Sequence, residues 1–268
     1  MPLIDKYGRK ITYLRISITD RCNLRCRYCM PAEGIKLIPH ERIMRYEEIR
    51  DFVEVAVELG INKVRITGGE PLVRRGVVEL VRMLAQIHRI EDLSMTTNGI
   101  LLSKYAEELA EAGLMRVNIS LDTLDPERYH YITRVGNLND VLEGIKAAEN
   151  AGLSPIKINC VIDKSPNEPD AQMVKRFAEE HNYRVRFIPK MDIENGKFSI
   201  VIGGIGGNCP ICNRIRLTSD GFVKPCLFSD MKFDARKLGY RRAIELAVEN
   251  KPERGTISKS NKFYNIGG

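Results

Sequence analysis

The sequence contains no tryptophan, and its few histidines lie at positions 40, 88, 130 and 181. No run of about 18 apolar residues, the length that crosses a membrane, is present. The chain does not open with the basic stretch and apolar core of a secretory signal. Blocks of about five or six basic residues, typical of interaction tails, are also missing. We therefore expect a cytoplasmic protein that binds neither a membrane nor a nucleic acid.

The composition shows a moderate excess of positive charge. Lys and Arg number 42 against 35 Asp and Glu, which gives a net charge of +7 over 268 residues. Because the basic residues are dispersed, a nucleic acid, a polyanionic small substrate or a solvated surface would each account for this charge. The 43% of hydrophobic residues suffice for the core of one large α/β barrel or of two modest domains.

Short β-branched runs alternate with helical patterns over most of the chain. The candidate strands are YLRISIT, KVRIT, LSMTT, MRVNISL, IKINCVI and YRVRFI. Three helical patterns end just before a strand at a glycine, where we expect a left-handed conformation, namely at Gly60, Gly113 and Gly152. This order predicts six parallel strands in a barrel or a doubly wound sheet, with the chemistry on the loops that follow the strands.

The alternation of strands and helices stops near Pro189. Beyond it lie a Gly-rich stretch, further cysteines and one helical pattern from about Ala235 to Glu249. We therefore divide the chain into residues 1–190 and residues 191–268.

Six of the seven cysteines fall into two groups of three. Such groups, in a chain without a secretory signal, favour metal ligation over disulfides. The first group has the spacing CxxxCxxC, which lets one loop deliver three thiolates to an iron–sulfur cluster and leaves one iron open to a small molecule. The second group begins with CxxC, a common zinc-binding pair, so zinc is here a stronger alternative to an iron–sulfur cluster. The groups are Cys22, Cys26 and Cys29, and Cys209, Cys212 and Cys226. The seventh, Cys160, lies in a strand pattern, where we expect a small buried side chain.

The segments TDRCNLRCRYCMP and RITGGEP resemble the radical S-adenosylmethionine (SAM) superfamily. With TTNG, NISLD, RFI, NRIRLTSDG and a terminal Ile-Gly-Gly, the chain is similar almost from end to end to the GTP 3′,8-cyclase family of molybdenum cofactor biosynthesis. The resemblance implies an α/β fold, an incomplete (βα)6 TIM-type barrel with a small C-terminal cluster-binding region. It also implies a lyase that converts GTP to a cyclic pyranopterin precursor, 3′,8-cyclo-7,8-dihydro-GTP.

The resemblance further implies two [4Fe-4S] clusters and SAM as cofactors. Cys22, Cys26 and Cys29 would hold the cluster whose open iron binds SAM, and the second group would hold a cluster whose open iron binds guanine. The residues implied to contact SAM are Tyr28, Gly69, Ser120 and Met191. Catalytic groups beyond the clusters are unknown. The terminal Gly267 and Gly268 are candidates, because the family's Gly-Gly end reaches into the active site.

A nucleoside triphosphate brings about four negative charges, which Arg and Lys side chains bind well. The residues that the resemblance implies to contact GTP are Arg15, Lys63, Arg65, Thr96, Lys157, Arg186, Arg214, Ile215 and Arg216. The implied partners are a low-potential electron donor, a downstream enzyme of the molybdenum cofactor pathway and a second copy of the chain in a homodimer.

The sequence departs from this family in two places. The family has several tens of residues before the second cysteine group, whereas here only the stretch from Ile193 to Asn208 precedes it. We expect this stretch to form one strand and a flexible turn. Pro189 stands where the family has an acidic residue, and the loss of that carboxylate would change how the substrate is oriented.

Two other functions stay open on the sequence alone. A radical enzyme that modifies a peptide would also carry a C-terminal cluster region, usually with more cysteines. A basic zinc-binding nucleic-acid module would explain the charge and the cysteines, but it would explain GGEP poorly. The chain also lacks the aromatic residues, interleaved on a basic face, that single-strand binders use for stacking.

Overall fold

The computed structural model describes residues 2–266. Within this range nine strands form one sheet. Their bounds are Tyr13–Ser17 (β1), Lys63–Thr67 (β2), Asp92–Thr97 (β3), Arg116–Ser120 (β4), Lys157–Ile162 (β5), Arg184–Pro189 (β6), Arg214–Leu217 (β7), Phe222–Lys224 (β8) and Phe233–Asp234 (β9). The strand order is β6-β5-β4-β3-β2-β1-β7-β8-β9. The pairs from β6 to β7 are parallel, and the last two pairs are antiparallel.

The helices are α1 (Tyr46–Glu58), α2 (Val77–Ala85), α3 (Leu102–Glu111), α4 (Pro126–Thr133), α5 (Leu138–Asn150), α6 (Pro169–Glu180), α7 (Ala235–Leu238), α8 (Tyr240–Glu249) and α9 (Phe263–Ile266). The main helices pack an apolar stripe on the sheet; in α1 the stripe includes Ile49, Phe52 and Val53. None of the helices within residues 2–266 is long and apolar enough to cross a bilayer.

The six predicted strands are confirmed, and they are parallel and adjacent in chain order. The three glycines predicted to end helices are also confirmed, with φ angles of +105°, +98° and +75° at Gly60, Gly113 and Gly152. The sheet does not close on itself, since its two ends are β6 and β9. The fold is thus the expected incomplete barrel, and Cys160 is fully buried in its core.

The C-terminal region extends the same sheet. Strand β7 pairs in parallel with β1, so the sheet continues across the boundary placed near residue 190. The helical pattern expected from Ala235 to Glu249 is interrupted at Gly239, whose φ of +80° separates α7 from α8. A smaller apolar cluster lies beside this region and contains Ile193, Leu227, Phe228 and Ile266.

The stretch from Ile193 to Asn208 forms isolated bridges instead of the strand that we expected. Ile202 and Phe187 exchange two backbone hydrogen bonds of 3.0 Å, which attach the stretch to the edge strand β6. Beyond Ile202 the glycines at 203 and 207 adopt positive φ and curl the chain back on itself. A continuous strand cannot form through this turn.

Candidate active site

One cavity of about 540 Å³ lies against the inner face of the sheet. Successive strand residues face opposite sides, so Tyr13 and Arg15 of β1 line the cavity while Leu14 and Ile16 pack into the core. Both groups of three cysteines line this same cavity. The fold therefore brings the two predicted metal-binding groups to one space.

The first cysteine group lies on the loop that follows β1. The backbone amides of Cys29 and Met30 both donate to the carbonyl of Cys26 at 2.9 Å, which turns the chain between the second and third thiols. The amides of Arg25 and Arg27 donate to carbonyls at the end of α4 and fix the loop from outside. The loop is thus shaped by backbone hydrogen bonds that leave the thiols directed to the cavity.

The three thiols of this loop are free and partly buried. Burial raises the pKa of Cys22 to about 11, and burial together with the neighbouring Cys22 raises the pKa of Cys29 to about 12. Metal binding would displace these protons. Three soft sulfur donors on one loop fit an iron–sulfur cluster with one open iron. Within residues 2–266, no group of three or more His, Cys, Asp or Glu is arranged to hold a single metal ion.

The GGE segment after β2 packs directly on the cysteine loop. The Gly69 amide donates to the Thr19 carbonyl at 2.7 Å, and the Glu70 amide donates to the Arg21 carbonyl at 2.8 Å. A Cβ atom on Gly69 would lie 2.4 Å from the Arg21 carbonyl oxygen. Gly69 is therefore required by the backbone of the neighbouring loop, whereas the sequence suggested only close approach to a ligand.

The buried Glu70 carboxylate ties the ends of two strands together. It accepts hydrogen bonds from Leu72 N at 3.0 Å, Thr97 Oγ1 at 2.8 Å and Asn98 N at 2.7 Å. Burial raises its pKa to about 7. The contact with Leu72 caps the start of a short 3-10 turn.

The four residues implied to contact SAM all line the cavity together with the first cysteine group. The Tyr28 hydroxyl donates to Asp122 Oδ2 at 2.8 Å, and Asp122 Oδ1 accepts from Val161 N at 2.8 Å. Burial raises the pKa of Asp122 to about 6. Asp122 ends the NISLD motif of the sequence, but sequence reasoning gave its carboxylate no role; the structure shows that it orients Tyr28.

The inner face of the sheet is strongly basic. Of the residues implied to contact GTP, Ile215 alone does not line the cavity, since its side chain lies in the core. Burial and mutual repulsion lower the pKa of Lys157 to about 8 and of Arg216 to about 10. The cations that line the cavity along the strands are Arg15, Lys63, Arg65, Arg116, Lys157, Arg186, Arg214 and Arg216. This excess of positive charge would be neutralised by a polyanion.

Arg116, at the start of β4, was not singled out from the sequence. Its Nη2 donates to Asp92 Oδ2 at 2.5 Å, while its buried Nη1 has no hydrogen-bond partner among the described residues. Burial is the main cause that lowers the pKa of Lys157, Arg65 and Arg186, and the charge of Arg116 lowers each of them further. Arg116 therefore lies among the cations predicted to bind GTP. Arg116 and Ser120 lie four residues apart on β4 and so face the same side of the sheet, a pattern that could have identified Arg116 from the sequence.

The second cysteine group lies beside β7 and β8. The amide of Cys212 donates to the carbonyl of Cys209 at 3.1 Å, and Cys226 follows the end of β8 by two residues. Burial raises the pKa of the Cys212 thiol, but Lys251 and Arg214 lower it, and the net shift is downward. Three free thiols again fit a cluster with one open position.

The C-terminal segment returns to the cavity. Phe263 and Tyr264 line it. Ile266 is 1% exposed in the smaller apolar cluster, so this side chain anchors the C-terminal segment. Arg216 Nη1 lies 3.4 Å from the Ile266 carbonyl oxygen. Gly267 and Gly268, the candidate catalytic residues, lie outside the described residues.

An open parallel sheet with three thiols on the loop after its first strand is the arrangement of a radical SAM enzyme. The sequence model described as "Radical SAM superfamily" matches residues 16–178, more than half of the chain. The family implies a [4Fe-4S] cluster and a SAM site.

Two relatives narrow the assignment. GTP 3′,8-cyclase of Petrotoga mobilis is 44% identical over 309 residues, which cover 98% of this chain and 95% of that protein. GTP 3′,8-cyclase of Thermodesulfovibrio yellowstonii is 45% identical over 280 residues, with 87% of each chain covered. The chain belongs to the radical SAM superfamily and, within it, to the GTP 3′,8-cyclase family.

Solved structures support the fold. SuiB of Streptococcus suis bound to the precursor peptide SuiA matches with a TM-score of 0.70 at 16% identity, covering 98% of this chain and 71% of that chain. The structure described as native anSMEcpe with bound AdoMet matches with a TM-score of 0.65 at 17% identity, covering 91% and 82% of the two chains. At these identities the likeness concerns the fold alone.

Proposed function

We propose that the chain converts GTP to 3′,8-cyclo-7,8-dihydro-GTP by SAM radical chemistry, with a second [4Fe-4S] cluster on Cys209, Cys212 and Cys226. The observation that carries this proposal is the single cavity, which both cysteine groups line together with the row of inward-facing cations. A polyanionic substrate would neutralise this row of positive charge. We infer that the nucleotide is GTP from the names of the relatives.

The two sides of the cavity would do different work. When bound, the first cluster supplies the electron that cleaves SAM. Tyr28, Gly69, Ser120 and Met191 would hold SAM beside it, with Tyr28 oriented by Asp122. The cations on the strands would bind and orient the triphosphate, because hydrogen bonds between ionised partners are the strongest available.

The C-terminal side would hold the base of the nucleotide. Arg214 and Arg216 alternate on β7 and line the cavity beside Cys212. Arg214 Nη2 donates to the Ile205 carbonyl at 3.0 Å, so the curled stretch before the second cysteine group helps to orient this side chain. In this proposal the shortened stretch still forms a wall of the substrate site.

Single cysteine variants test the two roles under anaerobic conditions. Cys26→Ala should abolish cleavage of SAM, because the first cluster loses a ligand. Cys212→Ala should leave some uncoupled cleavage but form no cyclised nucleotide. Cys160→Ala is the matched control, since this buried thiol belongs to neither group and lies in the core outside the cavity lining. Equal loss of SAM cleavage in the Cys26 and Cys212 variants would contradict two distinct roles.

The proposed partners are a low-potential electron donor, a downstream enzyme that consumes the cyclised nucleotide and a second copy of the chain. A peptide-modifying activity is the second candidate, since the SuiB structure is described with a bound precursor peptide. The buried cations favour the nucleotide, because a peptide backbone carries no charge to neutralise them. Incubation with a mixture of GTP and peptides would reveal which substrate is consumed.

A further inference from the structure

Lys251 is a lysine with a nearly fully buried side chain, 2% exposed, just beyond the end of α8. Its Nζ donates to the carbonyl oxygens of Arg214 and Pro225, each at 2.7 Å. Arg214 lies two residues after Cys212, and Pro225 directly precedes Cys226. One ammonium group thus holds the backbone of the two segments that carry these thiols.

The side chain of Lys251 also lines the cavity together with Cys212 and Cys226. Burial lowers the pKa of Lys251, and the sulfurs of Cys212 and Cys226 oppose this shift. A buried ammonium is costly unless its donors are satisfied and its charge is balanced. Two thiolates bound to a metal cluster would balance it.

Arg9 acts on the same site from the other end of the chain. Its guanidinium is paired with Asp5 at 2.6 Å and donates to the carbonyl of Cys209 at 2.8 Å. It also donates to the carbonyls of Pro252 and Glu253, the two residues after Lys251. Two buried cations therefore hold the backbone around all three cysteines of the second group.

Lys251 and Arg9 thus place positive charge beside the second cysteine group. A cation beside the sulfur ligands of an iron–sulfur cluster stabilises the added electron. Lys251 would therefore raise the reduction potential of a cluster on the second group.

We propose that Lys251 is a positioning residue that orders the segments carrying the thiols of the second group and raises the reduction potential of the cluster there. This inference rests on the proposed function, because it requires a cluster on the second group.

The test uses the full chain with Cys22, Cys26 and Cys29 replaced by alanine, so that only the second cluster forms. After anaerobic reconstitution, the midpoint potential is measured by titration followed by electron paramagnetic resonance. Lys251→Met should shift the potential in the negative direction or lose the cluster. Lys251→Arg keeps the charge and should restore both cluster content and potential towards those of the parent protein.

Lys224→Met is the matched control. Lys224 is also a buried lysine of this region, 5% exposed, but its Nζ is hydrogen-bonded to the side chains of Asn261 and Ser260 instead of the backbone beside the cysteines. It should leave the potential unchanged. An unaltered cluster and potential in Lys251→Met, or an equal effect in Lys224→Met, would overturn the inference.

Failure of the proposed function has a separate signature. The unsubstituted protein would then hold about four irons instead of about eight.

Discussion

Arg15 on β1 lies opposite Arg216 on β7 in the parallel register of the two strands. The two side chains are 8% and 7% exposed and line the same cavity. Burial lowers the pKa of Arg15, and the charge of Arg216 lowers it further. Under the proposed function, these two like charges at the seam between the barrel and the C-terminal region would bind one anion that contacts both parts.

Replacing Arg216 by alanine should weaken GTP binding by about 1.5–3 kcal/mol, the range for hydrogen bonds to charged groups. Isothermal titration calorimetry of the anaerobically reconstituted protein measures this effect. Arg242→Ala, on the exposed face of α8, is the control and should bind GTP as the parent protein does. Parent-like affinity in Arg216→Ala would remove this residue from the substrate site.

Replacing Arg116 by glutamine should weaken GTP binding by a similar amount, about 1.5–3 kcal/mol. The apoprotein should keep its thermal stability, because the change removes the repulsion between Arg116 and the three cations Arg65, Lys157 and Arg186, which offsets the loss of the ion pair with Asp92. Arg184→Gln is the matched control, since Arg184 lies on β6 but is exposed and does not line the cavity. If both variants bind GTP equally well, Arg116 has no part in recognition.

GTP binding should depend on pH through Lys157. Burial and the neighbouring arginines lower the pKa of Lys157 to about 8, so the free protein carries this charge below that pH and loses it above. Since the charged form binds phosphate, affinity should fall by up to about tenfold per pH unit above the pKa. Lys157→Arg should flatten this part of the profile, because arginine stays charged. An unchanged slope in that variant would assign the titration to another group.

Replacing Gly69 by alanine should damage the first cluster site, because the new Cβ atom would lie 2.4 Å from the Arg21 carbonyl oxygen. We expect about four irons per chain in place of about eight, and no cleavage of SAM. Gly152→Ala is the control. No atom lies within 4 Å of its Cβ position and only its φ of +75° is strained, so it should lose about 1–2 kcal/mol of stability and keep its iron. Full iron content in Gly69→Ala would show that the loop can shift.

The barrel strands could be predicted from the sequence because each β-branched run is followed by a helical pattern, a local signal. Strand β7 could not be predicted in the same way. Its four residues, Arg214–Leu217, form a buried strand only because β1 lies beside them, and strand formation depends strongly on such tertiary context.

The residues of the candidate site also differ in whether the sequence could predict them. The cysteines and most of the cations could be identified from motifs and from the family resemblance. Lys251 could not, because a lysine just beyond a helix is usually solvated and favourable to the helix dipole. Its burial results from contacts with Arg214 and Pro225, which are distant in the chain.

Our main proposal is that the two cysteine groups hold clusters that serve one reaction, on one GTP molecule bound in the shared cavity. The most direct measurement is product analysis after anaerobic incubation of the reconstituted protein with SAM, a reductant and GTP. We expect 5′-deoxyadenosine and a cyclised guanine nucleotide as products. The cyclised product should be absent when Cys212 is replaced by alanine. Cleavage of SAM with unchanged GTP in the unsubstituted protein would contradict this proposal.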